Sequence, residues 1–193
     1  MTARRRASWS PSRRLSPRAA SDGELRTYLL TWTCYGTWLH GDRRRSVDRE
    51  HNLPNTPRLA PHAAKEAAAS RRLKHRPYKL SERAREVTLD AIAEVCRYRQ
   101  WKLWAAHVRS NHVHVVVTAA EAPERVMKDL KACASRALTG GAVDDCAGRR
   151  WMRHGSTRHI RAQLSLEAAI DYVLHQQGEP MTWRSYEHES SGG

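Results

Sequence analysis

Nowhere does the sequence hold the run of about 18 apolar residues that a bilayer-spanning helix needs. Its arginine-rich start also lacks the apolar core of a signal peptide. A membrane protein and an exported one are therefore not expected. Cysteine is sparse: Cys34, Cys96, Cys133 and Cys146 stand apart, with no Cys-x-x-Cys pair. That spacing excludes a zinc ribbon and a disulfide scaffold and suits a reducing, cytoplasmic setting. At 193 residues the chain is too short for a typical (β/α)₈ barrel. Acid is scarce as well, 20 Asp and Glu against 34 Lys and Arg, for a formal charge of +14. Six arginines (Arg4, Arg5, Arg6, Arg13, Arg14, Arg18) precede Ala19 with no acid among them, so the remainder still carries +8. Such a balance suits a polyanionic partner, nucleic acid first, and a nucleoid-associated location when bound to it.

Read in order, residues 1–24 are rich in Arg, Ser, Pro and Ala without hydrophobic periodicity, and are predicted to be a disordered basic arm. A first strand is predicted over Arg26–Tyr35, followed by a glycine-framed turn from Gly36 to Asp42. Residues 43–79 are polar and proline-punctuated, with a short alanine-rich helix near Pro61–Arg72. They read as an insertion, too poor in large apolar residues for a core of its own. Ser81 is a candidate cap for a helix with Val87, Ala91, Ile92 and Val95 on one stripe. Trp101–Val108 and the strand after Asn111 form a candidate antiparallel hairpin. A second amphipathic helix follows Pro123 and ends at Gly140-Gly141. Arg149 to Ile160, with Trp151, Arg153 and Arg158 among them, is predicted to form a short strand pair around Gly155; that mixture of arginine and tryptophan suits a single-strand groove, and an ordinary domain surface too. Ser165 is a candidate cap for a last helix running to Gln177, with Gly178 and Pro180 ending it. The domain is predicted to span 25–181, with residues 182–193 as a tail.

The centre of the chain is Asn111-His112-Val113-His114-Val115-Val116-Val117-Thr118. Side chains alternate along a strand, so His112 and His114 share one face while Val113, Val115 and Val117 take the other. Two imidazoles placed so can grip one metal ion. Two hydrogen-bonded histidines at a sheet edge fit the pattern too, and with 11 histidines composition alone gives about 0.6 such pairs. In the last helix Leu166, Ala169, Ile170, Val173 and Leu174 form the apolar stripe, while Tyr172 and Gln176 sit one turn apart on its flank. A lone helical tyrosine is usually an amphipathic filler, so this geometry does not by itself make Tyr172 reactive.

These two segments in this order, with Thr31-Trp32-Thr33-Cys34-Tyr35-Gly36-Thr37-Trp38-Leu39-His40-Gly41-Asp42 before them, resemble the HUH single-tyrosine transposases, including the insertion-sequence and REP-associated enzymes. The likeness runs from about Tyr28 to Pro180. It departs at Arg109-Ser110, where relatives often have Met-Pro, and in the insertion after Gly41. The resemblance implies an α+β, ferredoxin-like antiparallel sheet with helices packed on it and a catalytic C-terminal helix. It implies nicking and strand transfer on single-stranded DNA, with a hairpin beside the cut and a 5′-phosphotyrosine intermediate. Tyr172 would be the nucleophile, and His112, His114 and Gln176 would hold Mg²⁺ or Mn²⁺. Lys128, Lys131, Arg153, Arg158 and Trp151 are the candidate DNA contacts. In some relatives the tyrosine helix comes from a partner subunit, so a homodimer is one expected arrangement. The rival expectations are a non-catalytic DNA- or RNA-binding descendant and a small-molecule metallohydrolase. The latter would need acidic ligands, and Arg109 to Ala120 holds none.

Overall fold

The computed structural model of the protein describes residues 23–39, 60, 62–178 and 181–185. The first 22 residues of the predicted basic arm, and 40–59 and 61 of the turn and insertion, lie outside them. Strand β1 (Arg26–Thr33) buries every second side chain, Tyr28, Leu30 and Trp32, as a strand with one face on a core should. Helix α1 (Ala63–Arg71) buries no residue, in keeping with its place in the insertion. Helix α2 (Glu82–Arg99) is capped by Ser81, whose side chain accepts from the Ala84 N–H at 3.2 Å. It stops at Gln100 in the left-handed region, φ 58°.

Strands β2 (Lys102–Val108) and β3 (His112–Ala119) form the predicted hairpin, closed by the Arg109 N–H on the His112 carbonyl at 2.9 Å. Helix α3 (Pro123–Gly140) starts with proline, whose missing N–H needs no partner there. Strand β4 (Ser156–Ile160), helix α4 (Gln163–His175) and strand β5 (Thr182–Ser185) complete the order.

The sheet is antiparallel throughout, in the order β4-β1-β3-β2-β5. Setting β5 aside, β1-α2-β2-β3-α3-β4 with strand order 4-1-3-2 is the ferredoxin-like arrangement. Helices α2 and α3 cover one face, where Tyr28, Leu30, Trp32, Val113, Val115 and Val117 join the main core. On the other face, among the described residues, lies α4 alone, over a smaller cluster of Ala105, Val116, Leu166, Val173 and Leu174. Among the described residues no helix is long and apolar enough to cross a membrane.

Four local expectations are corrected. No strand pair forms around Gly155: Trp151 bridges Cys34 and β4 pairs with β1, because the open edge of β1 takes both segments in turn. Ser165 does not cap α4, since the chain turns helical directly after β4. Ala162 is the cap, its carbonyl accepting from Ser165 and Leu166 at 3.0 and 3.1 Å. The helix also stops at His175, short of Gln177, and Gly178 follows at φ 77°. Residues Thr182–Ser185, read from sequence as tail, form an edge strand along β2.

Candidate active site

Paired residues of neighbouring antiparallel strands project to the same side of a sheet. Under α4 this gives one row that crosses all five strands: Ser156, Thr31, His114, His107 and Trp183. Thr33 and His112 form the next pair along. The two histidines of β3 therefore share the α4 face, as alternation predicts, with ring centroids 4.8 Å apart.

Each imidazole is held through Nδ1 by an oxygen. His112 Nδ1 lies 2.7 Å from Asn111 Oδ1, an acceptor, so Nδ1 carries the proton in that bond. His114 Nδ1 lies 2.7 Å from the Thr31 hydroxyl. An oxygen on the far nitrogen that fixes ring and tautomer is how metal-binding histidines are commonly supported. Burial, then the neighbouring His112 and His107, pushes the His114 pKa down to about 3, so this ring is neutral at ordinary pH. Only a neutral imidazole can ligate a cation.

Helix α4 brings Tyr172 to this pair. Its ring meets His114 of the same chain edge to face, 5.7 Å between centroids, and the residue is 39% exposed. An accessible phenol beside the two imidazoles can approach a phosphate that those rings help to hold through a cation. Gln176 is on the exposed side of the helix end, where its Nε2 donates to Asp171 Oδ2 at 2.6 Å. The hydrogen bonds from His175 and Gln176 hold the Asp171 carboxyl below its usual pKa. Gln177, not Gln176, is hydrogen-bonded to His114, and its Nε2 also donates to the Tyr172 carbonyl at 3.0 Å. Among the described residues no three His, Cys, Asp or Glu side chains gather to hold a metal. The donor set on this face is two imidazoles and the nearby carboxamides.

The basic candidates divide. Lys128, Arg153 and Arg158 are exposed, and Arg158 pairs with Leu29, which puts it on the α4 face. Two of the candidates are engaged within the fold. Trp151 is 9% exposed, packed edge-on against Trp32 and Tyr78, with its indole N–H on Ser135 Oγ at 2.8 Å. It belongs to the core on the far side of the sheet and has no face for a base. The Lys131 ammonium is bound to the Met152 and His154 carbonyls, both at 3.1 Å, and burial lowers its pKa to about 8. It anchors that turn.

His107 is fully buried, its pKa lowered by that burial. Its Nδ1 meets the Val173 carbonyl at 2.9 Å. Sequence reading passed over both it and Thr31. The available signal was a histidine at a core-facing position of an otherwise apolar strand, and a threonine in register with the His-x-His pair.

Residues 71–164 match the family model described as "Transposase IS200 like". That stretch includes β3 with both histidines and ends before Tyr172. A solved structure of a REP-associated tyrosine transposase bound to a REP hairpin is similar with a TM-score of 0.43 and 16% identity, over 81% of this chain and 68% of that one. No curated protein sequence matches the chain.

Proposed function

We propose, from the match of residues 71–164 to the IS200-like transposase model, that the chain is a single-tyrosine HUH transposase that nicks and rejoins single-stranded DNA through a covalent bond to Tyr172. The carrying observation is the exposed Tyr172 ring set against His114 of its own chain. On this reading one subunit holds the whole site, and a homodimer is not needed to complete it.

The phenol oxygen of Tyr172 attacks the phosphorus of a phosphodiester and gives up its proton as the P–O bond to the 3′ oxygen breaks. That oxygen leaves with a proton as a free 3′ hydroxyl, and the 5′ phosphate stays esterified to the tyrosine. The exchange of one phosphoester for another keeps the bond energy, so a second 3′ hydroxyl can reverse it and join strands. His112 and His114, through Nε2, and Gln176, through Oε1, are the proposed holders of Mg²⁺ or Mn²⁺. The fit rests on the Nδ1 anchors and on the neutral His114 ring. When bound, the ion supplies positive charge to the phosphoryl oxygens. Asn111 and Thr31 orient the rings, and exposed Lys128, Arg153 and Arg158 draw the backbone phosphates. The Asp171 carboxylate leaves Gln176 Oε1 free of that bond, while Gln177 already meets His114. Gln176→Ala and Gln177→Ala therefore need comparison in a Mn²⁺ titration, with the larger loss expected for Gln176→Ala.

The test is incubation with a labelled library of single-stranded hairpins plus Mn²⁺, resolved on a denaturing gel. Cleavage with a protein-linked band is expected. Binding without cleavage would favour a non-catalytic nucleic-acid-binding role.

A further inference from the structure

Helix α4 is the only helix on its face of the sheet among the described residues, and its buried cluster is small. With only Leu166, Val173 and Leu174 buried from the helix itself, packing alone only weakly fixes it along its axis or about it. The reactive site nonetheless requires Tyr172 at one position over His114. A directional bond is needed, and the end of α4 offers places for one. The last four carbonyls of a helix have no partner within it. In a helix ending at His175 these include Val173, the residue after Tyr172.

The Val173 carbonyl is taken by His107 Nδ1 at 2.9 Å, from the middle of the sheet. A carbonyl only accepts, so Nδ1 carries the proton. The other ring nitrogen, Nε2, accepts the backbone N–H of Met181 at 3.3 Å, just before β5. One neutral tautomer satisfies both bonds at once. The ring is 0% exposed and stands beside His114 in the β2–β3 register. It thus ties three things together: the strand next to the histidine pair, the turn of α4 that carries Tyr172, and the segment that leads from α4 to the edge strand.

We infer that His107 is a positioning residue that fixes the Tyr172 turn of α4 over His112 and His114 by bridging Val173 and Met181. It touches neither DNA nor ion and acts through the helix. This inference rests on the tyrosine reading above for its catalytic consequence, but the placement of α4 can be read without catalysis.

The variants are His107→Phe, which keeps ring volume and removes both bonds, and His107→Gln, whose carboxamide can donate to Val173 and accept from Met181. Three quantities are read on the full chain: Kd for a cleavable single-stranded hairpin, Mn²⁺ affinity, and the rate of adduct formation. For His107→Phe the adduct rate should fall about 10- to 100-fold, the scale of a misplacement of roughly 1 Å. Both affinities should stay within about twofold, and His107→Gln should recover most of the rate. Amide exchange supplies the readout that needs no chemistry. In His107→Phe, Leu174 to Gln177 should exchange at least about tenfold faster while α2 is unchanged, as expected for local rather than global opening. Unchanged exchange at α4 overturns the inference whether or not DNA is cut. So does a rate loss matched by an equal loss of Mn²⁺ or hairpin binding. A wild-type chain that forms no adduct contradicts the proposed chemistry, and the exchange result then decides the positioning role by itself.

Discussion

Replacing Thr31 with valine removes one hydroxyl from β1 and keeps the β-branched shape that a strand favours. The hydroxyl lies 2.7 Å from His114 Nδ1, and His114 is only 5% exposed, so water cannot readily take its place. A buried polar atom left without a partner costs about 1–3 kcal/mol. For a domain of this size each kcal/mol moves Tm by roughly 2–4 °C, which makes a drop of about 4–8 °C the central expectation. The second effect is on the ion. Without an oxygen at Nδ1 the ring loses a hydrogen bond that orients it, and losing such a support typically lowers metal affinity by about 10- to 100-fold. Thermal unfolding gives the first quantity and titration of free Mn²⁺ by its electron paramagnetic signal gives the second. Thr27→Val is the control, because Thr27 is also on β1 and its hydroxyl bonds Thr118 of β3 at 2.7 Å, at the end of the pair away from both histidines. It should cost stability and leave Mn²⁺ affinity alone. If Thr31→Val binds Mn²⁺ as tightly as the wild type, the hydroxyl does not support a metal-holding ring and the reasoning fails.

Gly155→Ala should destabilise the chain by about 1–3 kcal/mol, as overpacking does. A Cβ there would stand 2.4 Å from the Thr31 carbonyl oxygen and 2.6 Å from Met127 Sδ, and the backbone atom cannot yield cheaply. An unchanged Tm would show that β4 can shift freely. Stability should also fall with pH in metal-free buffer. The His114 pKa is lowered from 6.5 to about 3 by burial, so below 6.5 the unfolded chain takes up a proton that the folded chain refuses. The contribution is whole above pH 6.5 and is lost as pH falls toward 3, the loss reaching about 2 kcal/mol by pH 5. Denaturant melts at pH 7, 6 and 5 should show a shallower pH slope in His114→Gln than in the wild type; equal slopes would mean that His114 is protonated in the fold.

What could be read from the sequence followed from periodicity. Alternation placed His112 and His114 on one side of β3 and three valines on the other, the 3.6-residue stripe placed Val173 and Leu174 inward, and Ser81 announced α2. What could not be read depended on partners distant in the chain. Trp151 and Lys131 look like surface residues among arginines, yet Trp32 and Tyr78 cover the indole and two carbonyls hold the ammonium. No local pattern shows which strand edge will accept a later segment, so β4 and β5 were missed as partners of β1 and β2. The end of α4 escaped for the same reason. Which glutamine meets His114 depends on where the helix stops, and its Val173 carbonyl is engaged by a histidine far back in the chain.

The most direct measurement is to digest the protein–DNA product and locate the linked nucleotide by mass spectrometry. A nucleotide esterified to the Tyr172 phenol, and no adduct from Tyr172→Phe, is the predicted result. A nucleotide on any other side chain, or an adduct that survives Tyr172→Phe, would contradict it.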